Sequence, residues 1–254
     1  MRFSTLFFDL GSTLVYSKDP WPPIYEKGDR ALVSVLHKAG YAIDLDAFYL
    51  ELDGFLRAYY DHQDENNLER TTFAVLRDLL IQKGFLNVPE PVIRSALASM
   101  YAITQQNWYL EEDAIQTLNT LKSLGYRLGI ISNTSDDRNV RGIVNRLGLD
   151  PFFEKIFTSA ALGIRKPDER IFQTALDWYQ VKPNSTVMIG DTLNADVQGA
   201  NNIGIYSIWI TRHARLPEGG ELAVQPRAVV TDLAQIPPLL VKLEMESMDS
   251  SLEK

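Results

Sequence analysis

Cysteine is absent from the 254 residues, which removes disulfides, thiolate catalysis and Cys-ligated zinc from consideration. Histidine is scarce as well. His37, His62 and His213 are the 3 present, isolated in sequence and without metal-ligand spacing. Basic residues are in deficit, 25 against 33 acidic, for a formal net charge of −8. Such a chain lacks the basic field that nonspecific nucleic-acid binding depends on, so no nucleic-acid partner is expected. A small anionic ligand needs only a local positive site and stays open. Long hydrophobic runs are also missing. No apolar stretch approaches the ~20 residues that span a bilayer, and the N-terminal run from Phe3 meets Asp9 too soon for a signal peptide. These absences point to a cytoplasmic protein with no membrane association, and they leave its oligomeric state open.

What is present is an ordinary globular balance, 45% apolar and 23% charged, in a chain long enough for one large domain or a core with an insertion. Residues 3–9 read as a short buried strand entering a Gly-Ser-Thr turn. Pro20-Trp21-Pro22-Pro23 reads as a non-helical linker. From about 24 to 110 the spacing turns helical, as in Leu32, Val35, Leu36 and Ala39 before Gly40, and again in Leu76, Leu79 and Leu80. After 112 helices and strands alternate. Helices are predicted over 114–124, 136–147, 168–179 and 195–202, and strands over 127–132, 155–159, 186–190 and 205–210. That alternation predicts a parallel sheet covered on both faces. The first strand belongs with it, which makes the helical block an insertion. The polar segment from about 244 is expected to fray.

In an open α/β sheet, ligands bind beyond the carboxyl ends of the strands. Asp9 to Thr13, Ser132-Asn133, Lys166 and Gly190-Asp191 with Asp196 all fall at such ends. Each alone has a plainer explanation as a turn residue, a helix cap or a surface lysine. Together, in this order on a βα pattern, they supply the parts of a phosphoryl-transfer site: a carboxylate able to attack phosphorus, hard oxygen donors for Mg²⁺, and an ammonium and a hydroxyl for the phosphoryl oxygens.

The same segments resemble the motifs of the haloacid dehalogenase-like hydrolases, in the branch with a helical cap inserted after the first motif. Phe7-Phe8-Asp9-Leu10-Gly11-Ser12-Thr13 is similar to that family's strand and Asp-x-Asp-Gly-Thr. Ile130-Ile131-Ser132-Asn133 resembles its second motif, Lys166-Pro167 its third, and Gly190-Asp191 with Asp196 its fourth. The resemblance implies a Rossmann-like three-layer α/β core over 1–17 and 112–254 and a cap over 18–111. It implies Asp9 as nucleophile, Mg²⁺ held by Asp9, Asp191 and the backbone carbonyl of Gly11, and Ser132 and Lys166 on the phosphoryl group. Asn133 would contact substrate or the nucleophile, Asp196 would orient the metal shell or Lys166 with Thr13 also in support, and the substrate would be a small phosphorylated metabolite.

The sequence departs from that pattern at Gly11. In the family's phosphatases the second Asp of the first motif protonates the leaving group and activates the hydrolytic water. General acid–base catalysis contributes about 10²–10⁴-fold, so its loss raises the barrier by about 3–5 kcal/mol. Three remedies are open: a leaving group that needs no proton, an acid from elsewhere (Asp19, Asp61, His62 or Asp64), or a lapsed enzyme that binds a phosphorylated ligand or a protein partner. Gly11 and Ser12 stand almost transposed against the family pattern, so an altered loop conformation is expected too. The phosphonate-cleaving branch needs a cap lysine, and none occurs between Lys38 and Lys83. The dehalogenating branch lacks the metal-binding fourth motif that is intact here.

Overall fold

Strands with apolar residues at successive positions must bury both faces, and here they do so in one parallel sheet. A computed structural model describes residues 3–61, 66–215 and 224–252. The chain enters through β1 (Thr5–Phe8) and β2 (Val15–Ser17), then runs through α1 (Trp21–Lys38), α2 (Leu45–Asp61), α3 (Thr72–Gln82) and α4 (Glu90–Thr104). It returns by β3 (Trp108–Leu110), α5 (Ala114–Ser123), β4 (Arg127–Ser132), α6 (Asp137–Arg146) and β5 (Lys155–Thr158). There follow α7 (Ser159–Leu162), α8 (Glu169–Tyr179), β6 (Thr186–Gly190), a π-helical turn (Leu193–Gln198) and α9 (Gly199–Asn202). The chain ends with β7 (Tyr206–Ile210), β8 (Ala228–Val230) and α10 (Ile236–Leu252).

The six-stranded sheet has the order β5-β4-β1-β6-β7-β8 and every pairing in it is parallel. Its residues alternate between two apolar layers. Leu6, Phe8, Ile130 and Ile189 pack with Leu118 of α5, Val144 of α6 and Leu240 of α10. Phe7, Ile131 and Met188 pack with Phe172 and Leu176 of α8 and Ala200 of α9. This is the expected three-layer α/β core. Strand order reverses between β1 and β6, which places the switch point, the usual ligand crevice, directly beyond Phe8 and Gly190.

Helices α1 to α4 bury a third, separate set of side chains, including Leu32, Leu36, Leu52, Leu76, Leu80 and Leu97. The antiparallel pair β2–β3 carries the chain into and out of this helical layer, with Tyr16 opposite Tyr109. No sequence pattern announced these three-residue strands. No described helix is long and apolar enough to cross a membrane.

Three expectations are corrected. Helix α1 starts at Trp21 with prolines in its first turn, so Pro20-Trp21-Pro22-Pro23 is helix entry and not a linker. Proline gives up only an N–H that the first turn leaves unpaired, and its fixed φ suits that position. The segment from 244 continues as helix to Leu252, and Glu244 accepts a hydrogen bond from the Phe3 backbone N–H at 3.1 Å. The stretch predicted as helix from 195 begins instead as the π turn.

Candidate active site

Asp9 follows the central strand, and its neighbours β4 and β6 deliver Ser132 and Asp191 to either side. The backbone N–H of Asp9 donates to the Ile189 carbonyl at 2.8 Å, which continues the sheet one residue past β1 and fixes where the carboxylate stands. Lys166 is the hub. It is only 2% exposed, and its Nζ donates to Asp9 Oδ1 at 2.6 Å, to Asp196 Oδ1 at 2.6 Å and to the Ile131 carbonyl at 2.7 Å. All three of its donor positions are thus used.

Each partner is held in turn. Asp196, on the π turn, also accepts the Thr192 backbone N–H at 3.0 Å. Its carboxylate lies over Gly190, where an added Cβ would stand 2.2 Å from it, so the glycine is required by close approach. The Trp209 indole N–H donates to the Asp191 carbonyl at 2.7 Å. Asn133 clamps the lysine loop: its Nδ2 donates to the Lys166 carbonyl at 2.9 Å and its Oδ1 accepts the Lys166 N–H at 2.8 Å. Both polar atoms of that side chain are therefore committed to the backbone of Lys166. Thr13 is buried beneath the loop, and its hydroxyl makes no hydrogen bond among the described residues.

The first-motif loop keeps a tight turn despite its altered sequence. Ser12 takes the left-handed conformation, φ 57°, at the position of the family's glycine, while Gly11 is outside that region. The left-handed position of this loop is thus held by a serine. The Trp108 ring borders Gly11 at ordinary contact distance. A Cβ there would lie 3.4 Å from the Trp108 ring.

A cavity of about 390 Å³ opens at these strand ends, lined by Asp9, Gly11, Ser12, Ser132, Asn133, Arg165, Lys166, Asp191 and Asp196 among others. The sequence-predicted residues thus come together, Thr13 excepted. Arg165 was missed; its one sequence signal was adjacency to Lys166. Of the proposed alternative acids, Asp19 is exposed and does not line this cavity. The Asp61 side chain, His62 and Asp64 lie outside the described residues.

Oxygens of Asp9, Asp191 and Asp196 lie within 4.8 Å of one another. Burial pushes the Asp9 carboxyl up to about 6, with Lys166 opposing and Asp196 adding to the shift. Burial and then the charges of Asp9 and Asp196 push Asp191 up to about 8. Burial works to lower the Lys166 ammonium, but Asp196 and Asp9 outweigh it and hold the lysine charged. One ammonium does not balance three crowded carboxylates. Hard oxygen donors with surplus negative charge are what a small divalent cation takes, so these residues fit one.

A family model for haloacid dehalogenase-like hydrolases matches residues 3–204. The chain belongs to that family. As a haloacid dehalogenase-like hydrolase it is an enzyme, and its relatives bear on which kind. A glyceraldehyde 3-phosphate phosphatase of Pyrococcus furiosus is 31% identical over 249 residues, 97% of this chain and 95% of that protein. A HAD phosphatase from Thermococcus onnurineus has a similar structure, with a TM-score of 0.63 at 22% identity over 94% of this chain and 98% of its own. A 2-haloacid dehalogenase from Pseudomonas syringae reaches 0.67 at 22% identity over 95% and 99%. The fold is shared by both chemistries, so the choice between them rests on the site.

Proposed function

We propose that this hydrolase is a Mg²⁺-dependent phosphatase acting on a small phosphorylated metabolite through an aspartyl phosphate on Asp9. The observation that carries the reading is the Lys166 ammonium joining Asp9 and Asp196 beside Asp191. Three carboxylates crowded at one point attract a divalent cation, which a phosphatase of this kind needs.

Asp9 and Asp191, with the Gly11 carbonyl, would hold the metal, which when bound supplies positive charge to an anionic phosphoryl group. The remaining work falls to the chain. Asp9 attacks phosphorus. Lys166, Ser132 and Arg165 bind the phosphoryl oxygens. Asp196 positions Lys166 from below, and Asn133 positions it through its backbone, which makes Asn133 a positioning residue in place of a substrate contact. Thr13 supports the loop by packing. The helical layer over about 18–111 serves as the cap, which excludes water and sets specificity. The name of the Pyrococcus relative makes glyceraldehyde 3-phosphate the first metabolite to try.

Gly11 favours a second reading, a weak family member that binds a phosphorylated ligand or a protein partner. Phosphate release from a generic phosphate ester with Mg²⁺, in wild type and Asp9→Asn, separates the two. Turnover above the Asp9→Asn control supports the phosphatase. Turnover equal to that control sinks it.

A further inference from the structure

The acid missing at Gly11 and the aromatic ring beside it bear together on the substrate. Trp108 lies against Gly11 and also lines a second cavity of about 380 Å³. That cavity also has Trp21, Tyr25, Tyr101 and Leu56 in its walls. The rings of Trp21 and Tyr25 stack at 5.0 Å with 15° between their planes, and Trp21 meets Trp108 at 5.1 Å and 55°. An aromatic wall therefore runs from the cap to the edge of the phosphoryl site. The titratable side chains lining the first cavity are Asp9, Asp191, Asp196, Lys166 and Arg165. The three carboxylates belong to the cation cluster and Lys166 and Arg165 are assigned to the phosphoryl oxygens, so among the described residues no side chain lining this cavity is left over to protonate a departing oxygen.

We propose that the leaving group is an aromatic alcohol, bound against Trp108 and Trp21 and released unprotonated, so that the preferred substrates are aryl phosphate monoesters. This rests on the phosphatase reading. A bond forms from Asp9 Oδ to phosphorus as the phosphorus–aryl oxygen bond breaks, and its electron pair leaves on the phenolate. Water then forms a bond to phosphorus, the Asp9–phosphorus bond breaks, and the carboxylate is regenerated. One proton of that water stays on phosphate and the other ends on the phenolate, giving phenol and inorganic phosphate. A phenolate is a stable leaving group, whereas an alkoxide needs the acid that Gly11 lacks. Asp29 and Asp53 also line the second cavity, so the phenolate oxygen must form at the phosphorus end, beside Lys166, and not at theirs.

The test is kcat/KM of the Mg²⁺-loaded enzyme for phenyl phosphates graded from nitro-substituted to unsubstituted, with glyceraldehyde 3-phosphate as the alkyl comparison. Rates should fall steeply as the leaving group becomes more basic, and the alkyl ester should be slower by about 10²-fold or more. Gly11→Asp should flatten that dependence and raise the alkyl rate. Trp108→Ala should raise KM for the aryl esters by about 10-fold, the loss expected of one stacking face, and so narrow the aryl-to-alkyl ratio, while Trp108→Phe restores it. Asp9-dependent turnover that is flat across the series, or that favours the alkyl ester, overturns the aryl proposal and leaves the phosphatase standing. Absence of Asp9-dependent turnover on every ester overturns both.

Discussion

Single side chains carry opposing roles in this site. Ser12 holds a left-handed conformation that costs a non-glycine residue about 1 kcal/mol. Ser12→Gly should therefore stabilise the protein and raise Tm by about 2–4 °C, read by thermal melting; an unchanged Tm would mean the serine side chain repays its strain. Gly190 is the reverse case. Its missing Cβ makes room for Asp196, so Gly190→Ala should displace that carboxylate, release Lys166 and lower kcat/KM by at least about 10²-fold, with folding checked by circular dichroism. The carboxylates themselves give a pH signature. Asp9 and Asp191 are raised to about 6 and about 8, so between their unfolded values near ~4 and those points the native state binds more protons than the unfolded one. Metal-free protein is then most stable below that range and loses stability as pH rises through about 6 and about 8. Melting in chelator from acidic to alkaline pH should show the decline, and Mg²⁺, which takes the proton's place, should oppose it increasingly toward higher pH. A flat profile would mean the carboxylates are not crowded in solution.

Among the elements, the two short strands β2 and β3 join the helical layer α1 to α4 to the rest of the chain. Arg212, just after β7, donates to Glu111 at 2.6 Å, Asp113 at 2.9 Å and Asp232 at 2.6 Å. His213 stacks on Tyr16 of β2 and lies 2.6 Å from Glu111, the residue that follows β3. Glu111 is buried, so removing the guanidinium leaves a carboxylate without its main countercharge. Arg212→Ala should cost about 2 kcal/mol, measured by denaturant unfolding, and should loosen the ribbon. A second tie lies beside the lysine loop. Glu69 N–H donates to the Gly163 carbonyl and Arg165 N–H to that of Asn67, both at 3.0 Å, while Thr72 Oγ1 donates to Ser135 Oγ at 2.8 Å. The segment leading into α3 thus helps set where Arg165 enters the cavity.

Over the whole molecule, the separate apolar core of α1 to α4 implies separable stability. Leu76 is fully buried there, and Leu76→Ala should cost about 2–5 kcal/mol. Hydrogen exchange should show the loss in α1 to α4 while β1, β4 and β6 keep their protection. Equal loss in the sheet would mean that the helical layer and the sheet unfold as one unit.

The sequence by itself determined the βα alternation, the insertion and four of the strand-end motifs, because apolar periodicity and local turn chemistry are written within short stretches. It determined the absence of an acid at position 11 as well. Only the tertiary structure decided what those residues do to one another. That Asn133 holds Lys166, that Asp196 needs Gly190 to be bare, and that Trp108 borders Gly11 are contacts between segments up to a hundred residues apart. The β2–β3 ribbon and the helical start at Trp21 escaped for a related reason: three-residue strands and prolines in a first turn have no periodicity to read, and their place is set by what they pack against.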